Sequence, residues 1–243
     1  MKTLTVNIPN REYDIKIEKG LLDKSGVLIS EICSPCKVAI ISDSNVAPLY
    51  ADRVIKSLEK SGFQPFLVTV PAGEESKSLK MLEFLYGELL KQKITRSDLV
   101  IALGGGVVGD LAGFAAATYM RGIDFYNIPT TFLSQVDSSI GGKVAIDFEG
   151  YKNIVGAFYP PKKVIIDPDT LKSLPERQIA NGFAEIIKMA ATFDEELFET
   201  LEKEDIFSDK NLEDIIARSL EIKKHVVEND EKEKGERKAL NFG

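Results

Sequence analysis

Residues 99–120 read LVIALGGGVVGDLAGFAAATYM, and the task given to the glycines around Asp110 decides the fold. A membrane span is the first reading to weigh, since the run is long enough to cross a bilayer and carries one charge before Arg121. Composition excludes it. Gly104, Gly105, Gly106, Gly109 and Gly113 weaken any helix, and Asp110 at the centre costs about 2.5–3.5 kcal/mol on insertion scales. Two readings survive, a phosphate-cradling turn between strand and helix and a tightly packed core turn. In both, LVIAL is a buried strand and VVGDLAGFAAATYM the helix that follows. Glycine lets backbone amides approach a pyrophosphate, and a helix N-terminus favours negative charge there. A GxGxxG spacing can be read from Gly104, Gly106 and Gly109, but alone it is a weak match, and the later SSIGGK lacks the first glycine and the hydroxyl residue of a Walker A loop.

Working outward, Val- and Ile-rich runs recur at KVAIIS, PFLVTV, DLVIAL, DFYNIP and KVIIDP. Between several of them lie segments such as SNVAPLYADRVIKSLEKSG and SLKMLEFLYGELLKQK, with apolar residues at three- and four-residue intervals. Strands alternating with helices predict an α/β, Rossmann-like domain with a parallel sheet, flanking helices and ligands at the carboxyl ends of the strands. The opening MKTLTVNIPNREYDIKIE alternates like a strand hairpin and holds no apolar stretch suited to a signal peptide, so a cytoplasmic location is expected. From Pro175 the pattern turns helical. PERQIANGFAEIIKMAATFDEELFETLEKE and NLEDIIARSLEIKKHVVENDEKEK read as two long helices, dividing the chain into residues 1–174 and a helical part, 175–243.

The net charge of −7 argues against broad nucleic-acid binding, so an anionic ligand must meet a local cluster of cations. Both cysteines lie in CSPC, Cys33 to Cys36, ahead of a strand rather than at a strand-to-helix turn, which disfavours a thioredoxin-like site. Zinc at this pair would need two more ligands, and His225 is the single histidine. PAGEESK sets Glu74 and Lys77 in a loop after a strand, and IPTTFLSQVDSSIGGK places Thr130, Thr131, Asp137 and Lys143 after another. NGFAEIIK puts Glu185 and Lys188 on one helix face. Such a pair is usually a surface ion pair, but the apolar neighbours here demand a partner for the carboxylate, a cation or a metal.

These motifs, together with MRGIDFYNIPTT, YKNIVGAFYPP and the ending KKHVVENDEKEKGERKALNFG, resemble the 3-dehydroquinate synthases over the whole chain. The resemblance implies NAD seated on the glycine turn. It implies adenosine-side contacts from Asp43, Glu74 and Lys77, and contacts to pyrophosphate and ribose from Gly105, Gly106, Val107, Val108, Gly109 and Asp110. Thr130, Thr131, Asp137, Lys143 and Lys152 complete the cofactor set. It further implies that Lys152, Asn153, Lys188, Lys223, Arg237 and Asn241 hold a phosphorylated sugar acid, with Arg121 offered by the partner subunit of a homodimer, and that Glu185 binds zinc or cobalt. The reaction implied is the conversion of 3-deoxy-D-arabino-heptulosonate 7-phosphate to 3-dehydroquinate and phosphate. Two further metal ligands, both histidines, are expected beyond Gly243, which makes the helical part incomplete and this chain alone inactive by expectation. Neither nucleic acid nor a membrane is expected as a partner. A related metal-dependent polyol dehydrogenase would share the fold and glycine turn but has no use for so many cations, and a non-catalytic NAD-binding subunit is the other alternative.

Overall fold

The computed structural model describes residues 1–9, 11–203 and 211–230. The order is β1 (Lys2–Val6), β2 (Tyr13–Ile17), α1 (Ser25–Ser30), β3 (Lys37–Asp43), α2 (Ala47–Lys60), β4 (Gln64–Val70), α3 (Leu79–Lys91), β5 (Leu99–Gly104), α4 (Gly106–Thr118) and β6 (Asp124–Pro129). There follow β7 (Lys143–Phe148), β8 (Tyr151–Phe158), β9 (Lys163–Ile166), α5 (Glu176–Phe193), α6 (Glu195–Lys203) and α7 (Leu212–Asn229). Seven strands form one sheet in the order β1-β2-β9-β6-β5-β3-β4. Only the β1–β2 edge pair is antiparallel; every other pairing in this sheet is parallel.

The periodicities explain the layers. Every residue of β5 is buried, as a strand covered on both faces requires. Helix α2 turns Ala47, Ala51, Val54 and Leu58 inward at helical spacing and, with α1, covers one face of the sheet. Helices α3 and α4 cover the other face, α3 through Leu82, Leu85 and Leu89. Each such fully buried aliphatic side chain contributes about 1.5–3 kcal/mol of transfer free energy. Helix α3 starts at Ser78, whose hydroxyl accepts the Met81 amide. Chain order reverses between β3 and β5, where Ser42 lies beside Leu103, so a crevice opens at the carboxyl ends of these two strands.

Two features depart from the expected pattern. The long helix expected from Pro175 is broken at Asp194 (φ −151°, ψ 87°), giving α5 and α6. The Asp194 carboxylate accepts the Leu197 amide at 3.0 Å and two bonds from the Arg218 guanidinium at 2.6 and 2.7 Å, so it starts α6 as a cap and turns it against α7. Sequence pattern also assigns no strands within residues 143–158, which form the β7–β8 hairpin over α4. Helices α5, α6 and α7 share a core with β1, β2 and β9: Ile186, Leu197 and Ile216 pack in one cluster with Val6, Ile15 and Ile166. No helix among the described residues is long and apolar enough to cross a membrane.

Candidate active site

The glycine turn lies at the mouth of this crevice. Strand β5 ends at Gly104, Gly105 is the extended residue before the helix, and α4 starts at Gly106 with no side-chain cap. The first helical bond runs from the Gly109 amide to the Gly105 carbonyl at 3.0 Å, which leaves the amides of Gly106, Val107 and Val108 without helical acceptors. The turn is also tight. A Cβ at Gly105 would stand 2.8 Å from Thr131 Cγ2, whereas one at Gly106 would stand 3.1 Å from Ser138 Oγ. Close packing is real as well, further along α4, where a Cβ at Gly113 would stand 2.4 Å from Val144 Cγ1. Close packing thus accounts for Gly113, which lets α4 meet β7, while Gly106 stands beside Ser138 of the neighbouring cleft and the turn leaves its amides unpaired. The Val108 side chain is buried in the core.

Beside this turn lies a cleft of about 650 Å³. Its walls come from elements far apart in the chain: Asp110 of α4, Asp137 and Ser138 of a short π-helical turn (Ser134–Ser138), Lys143 of β7, Asn153 of β8, Glu185 and Lys188 of α5, and Lys223 of α7. Seven of the residues expected from sequence thus converge. Ser138 is not among the expected residues, although it stands inside the quoted DSSIGGK motif. The apolar wall of Ile154, Ala157 and Phe158 could not be anticipated while the hairpin went unread.

Lys77 organises one side of the site. It is only 4% exposed, and its ammonium lies 2.8 Å from Asp110 Oδ2, donates to Asn153 Oδ1 and stands 3.8 Å from Glu74. Its carbonyl accepts the Asp147 amide at 2.9 Å, and the Asp147 carboxylate accepts the Asn153 amide at 2.8 Å, so the PAGEESK loop is bolted to the hairpin. Asn153 is held there with φ +55°, a conformation Asn tolerates better than most residues. Burial pushes the Asp110 carboxyl up and the Lys77 ammonium opposes that shift. Lys152 does not line the cleft; it is 72% exposed and lies 3.6 Å from Glu74, next in sequence to Asn153, which does. On the opposite wall Lys223, largely buried, donates to the Asp137 carbonyl at 2.8 Å and to its carboxylate, and Lys188 pairs with Glu185 at 2.8 Å.

Other expected residues have different settings. Asp43 ends β3 and its carboxylate accepts the amides of Asn45 and Val46 at 2.8 and 3.0 Å, shaping the turn into α2. Thr131 exchanges hydrogen bonds with Ser134, while buried Thr130 Oγ1 has no hydrogen-bond partner among the described residues. Arg121 follows the far end of α4, roughly 20 Å from the glycine turn by helix rise, and does not line this cleft. Arg237 and Asn241 lie outside the described residues. His225 bonds to Asn229 on the same helix at 3.3 Å, an ordinary surface contact. Among the described residues no three His, Cys, Asp or Glu side chains gather in a way that could hold a metal ion.

The family model described as 3-dehydroquinate synthase N-terminal matches residues 67–181, and that described as 3-dehydroquinate synthase C-terminal matches residues 182–243. The chain belongs to the 3-dehydroquinate synthase family. It is 49% identical over 245 residues to the 3-dehydroquinate synthase of Clostridium acetobutylicum, covering all of this chain and 69% of that protein. With the Enterococcus faecalis 3-dehydroquinate synthase it shares 51% identity over 242 residues, 99% of this chain and 68% of the relative. A crystal structure of 2-deoxy-scyllo-inosose synthase complexed with carbaglucose-6-phosphate, NAD+ and Co2+ superposes with TM-score 0.89 at 26% identity, over 99% of this chain and 66% of that one. A 2-epi-5-epi-valiolone synthase from Streptomyces hygroscopicus with NAD+ and Zn2+ bound gives 0.85 at 27% identity, over 95% of this chain and 65% of that one. The chain therefore spans about two thirds of the length of these relatives and structural neighbours. A butanol dehydrogenase from Thermotoga maritima, 18% identical with TM-score 0.68, shares the fold.

Proposed function

We propose that this chain forms the NAD-binding domain and part of the substrate pocket of a 3-dehydroquinate synthase acting on 3-deoxy-D-arabino-heptulosonate 7-phosphate, with residues 1–174 as the cofactor domain. The observation that carries the reading is the convergence of Asp110, Lys143, Asn153, Lys188 and Lys223 on one cleft beside an uncapped, glycine-lined helix start. The residues present fit NAD. The amides of Gly106, Val107 and Val108 aim a helix N-terminus at the crevice for a pyrophosphate, and Gly105 offers no side chain to block its approach. Asp110, hydrogen-bonded to Lys77 at the cleft wall, offers an acceptor to ribose hydroxyls, and Thr130 Oγ1 offers a buried polar atom still to be matched. NAD, when bound, supplies a reversible hydride acceptor for a substrate hydroxyl, so that no net oxidation results.

The chain's own side chains account for the rest of the recognition. A substrate bearing a carboxylate and a phosphate needs several cations in an otherwise acidic protein, and Lys143, Lys188 and Lys223 line the cleft, with exposed Lys152 adjoining the lining residue Asn153. Lys188 and Lys223 face Glu185 and Asp137, carboxylates whose place an anionic substrate group can take. The hairpin residues Ile154, Ala157 and Phe158 supply an apolar wall on one side. The relatives solved with Co2+ and Zn2+ support a divalent metal, and we assign Glu185, which lines the cleft, as one of its ligands. The described residues do not by themselves make a closed metal site. A homodimer fits the position of Arg121, which is exposed, has φ +69° and stands far from its own cleft. A cytoplasmic setting accords with the cofactor and substrate proposed.

Calorimetric titration with NAD tests the cofactor assignment. Saturable binding is expected, weakened in Gly106→Val, where the new side chain stands beside Ser138 of the cleft; unchanged affinity in the variant would remove the turn from the cofactor site.

A further inference from the structure

At the opposite end of the strands, just before the N-terminus of β3, the structure brings Cys33 and Cys36 together with 3.9 Å between their sulfurs. The backbone on both sides of the pair is pinned. The Cys33 amide donates to the Ile29 carbonyl at 3.0 Å, continuing α1, and the Cys36 carbonyl accepts the Gln64 amide at 2.9 Å ahead of β4. Between them the Pro35 ring lies against Gly62, where an added Cβ would stand 3.5 Å from its Cγ. The end of α1 is held from beneath by Lys163, 2% exposed, whose ammonium donates to the Leu28 carbonyl at 2.6 Å and to the Glu31 carboxylate. Both sulfurs pack on the edge of a hydrophobic cluster yet keep partial exposure. These are the only cysteines of the chain, and nothing in the cleft touches them.

We propose that Cys33 and Cys36 are a redox-modification site, closed to an intramolecular disulfide by exchange with a low-molecular-weight disulfide. The step balances as two exchanges. One Cys thiolate attacks the oxidant R–S–S–R, forming a mixed disulfide and expelling RS⁻. The other cysteine then attacks the protein sulfur of that bond and expels the second RS⁻. Two electrons pass to the oxidant, and the two thiol protons end on two RSH. The neighbouring groups, Asp98 before β5 and Asp124 and Tyr126 of β6, supply no cation, and burial raises both thiols above the ordinary range. The exchange is therefore slow at neutral pH and its outcome is set by geometry. The product clips the end of α1 to the start of β3 without altering the cleft.

The test is equilibration of the full chain with mixtures of reduced and oxidised glutathione, followed by acid quench and intact mass. The folded chain is expected to lose about 2 Da and both alkylatable thiols with no glutathione adduct accumulating. Because the fold holds the sulfurs in place, the ratio of disulfide to dithiol at a given glutathione ratio is expected to be about tenfold higher for the folded chain than for the chain in urea. Cys36→Ser is expected to stop at a glutathione adduct on Cys33. Adducts on both cysteines in the wild type, persistence of both thiols, or a ratio no higher folded than unfolded would each overturn the proposal.

Discussion

Replacing Lys77 by Met removes the ammonium that sits 2.8 Å from Asp110 and leaves the side chain's length and most of its apolar volume. Breaking a fully buried ion pair by deleting one partner costs about 3–5 kcal/mol, since the other charge stays desolvated. Here Lys77 is 4% exposed but Asp110 is 22% exposed along the cleft, so a loss of about 2–3 kcal/mol is expected. For a chain of this length that corresponds to a fall in Tm of about 4–12 °C. The sign of the pH dependence is also fixed. Burial already raises the Asp110 carboxyl, and loss of the cation raises it further, so the folded variant holds that proton more tightly than the unfolded chain. The variant's penalty is therefore expected to be larger at pH 7 than at pH 5. Urea unfolding of wild type, Lys77→Met, Asp110→Asn and the double variant measures the coupling directly. An interaction of about 1–3 kcal/mol is expected, because the neutral amide of Asp110→Asn no longer needs the cation. Additivity within about 0.5 kcal/mol would refute the pair as the organiser of this wall.

In a complete enzyme containing this segment, Lys152→Ala is expected to lower kcat/KM at least about tenfold while Lys60→Ala, on the exposed end of α2, changes it little; equal small effects would remove Lys152 from the site. Residues 1–243 supplied with NAD and zinc are expected to release no phosphate from the substrate and to carry far less than one zinc per chain, since the described residues gather no three metal ligands; turnover with stoichiometric zinc would show that assignment to be wrong. Burial pushes the Cys36 thiol up to about 12, so its alkylation rate is expected to keep rising roughly tenfold per pH unit from pH 8 to pH 10, where an ordinary thiol of pKa about 8.5 levels off. A plateau by pH 9 would contradict it.

Much of this protein is written in local pattern. The apolar runs that became β3, β5, β6 and β9 are buried or nearly so, β4 at the sheet edge buries only Val68 and Val70, and the three- and four-residue spacing of α2 and α3 follows from the faces they turn inward. The glycine turn could be placed between strand and helix because glycines beside Asp110 are incompatible with a membrane span, and the motif set named the family before any side chain was located. The β7–β8 hairpin was not legible. Tyr151–Phe158 is mostly exposed, so it lacks the alternation that burial imposes, and its pairing to β7 is shifted between Ile146 and Phe148. Nor could spacing show that Lys77 is a buried cation shared by Asp110 and Asn153, partners 33 and 76 residues away, or that Asp194 breaks a helix because Arg218 waits on α7. A charged residue in a loop reads as solvated until another segment covers it. Local periodicity determined which stretches become strands and helices; the order of strands in the sheet, the burial of Lys77 and the meeting of α4, α5, α7 and the hairpin in one cleft depend on contacts between distant segments, and only the folded chain decides those.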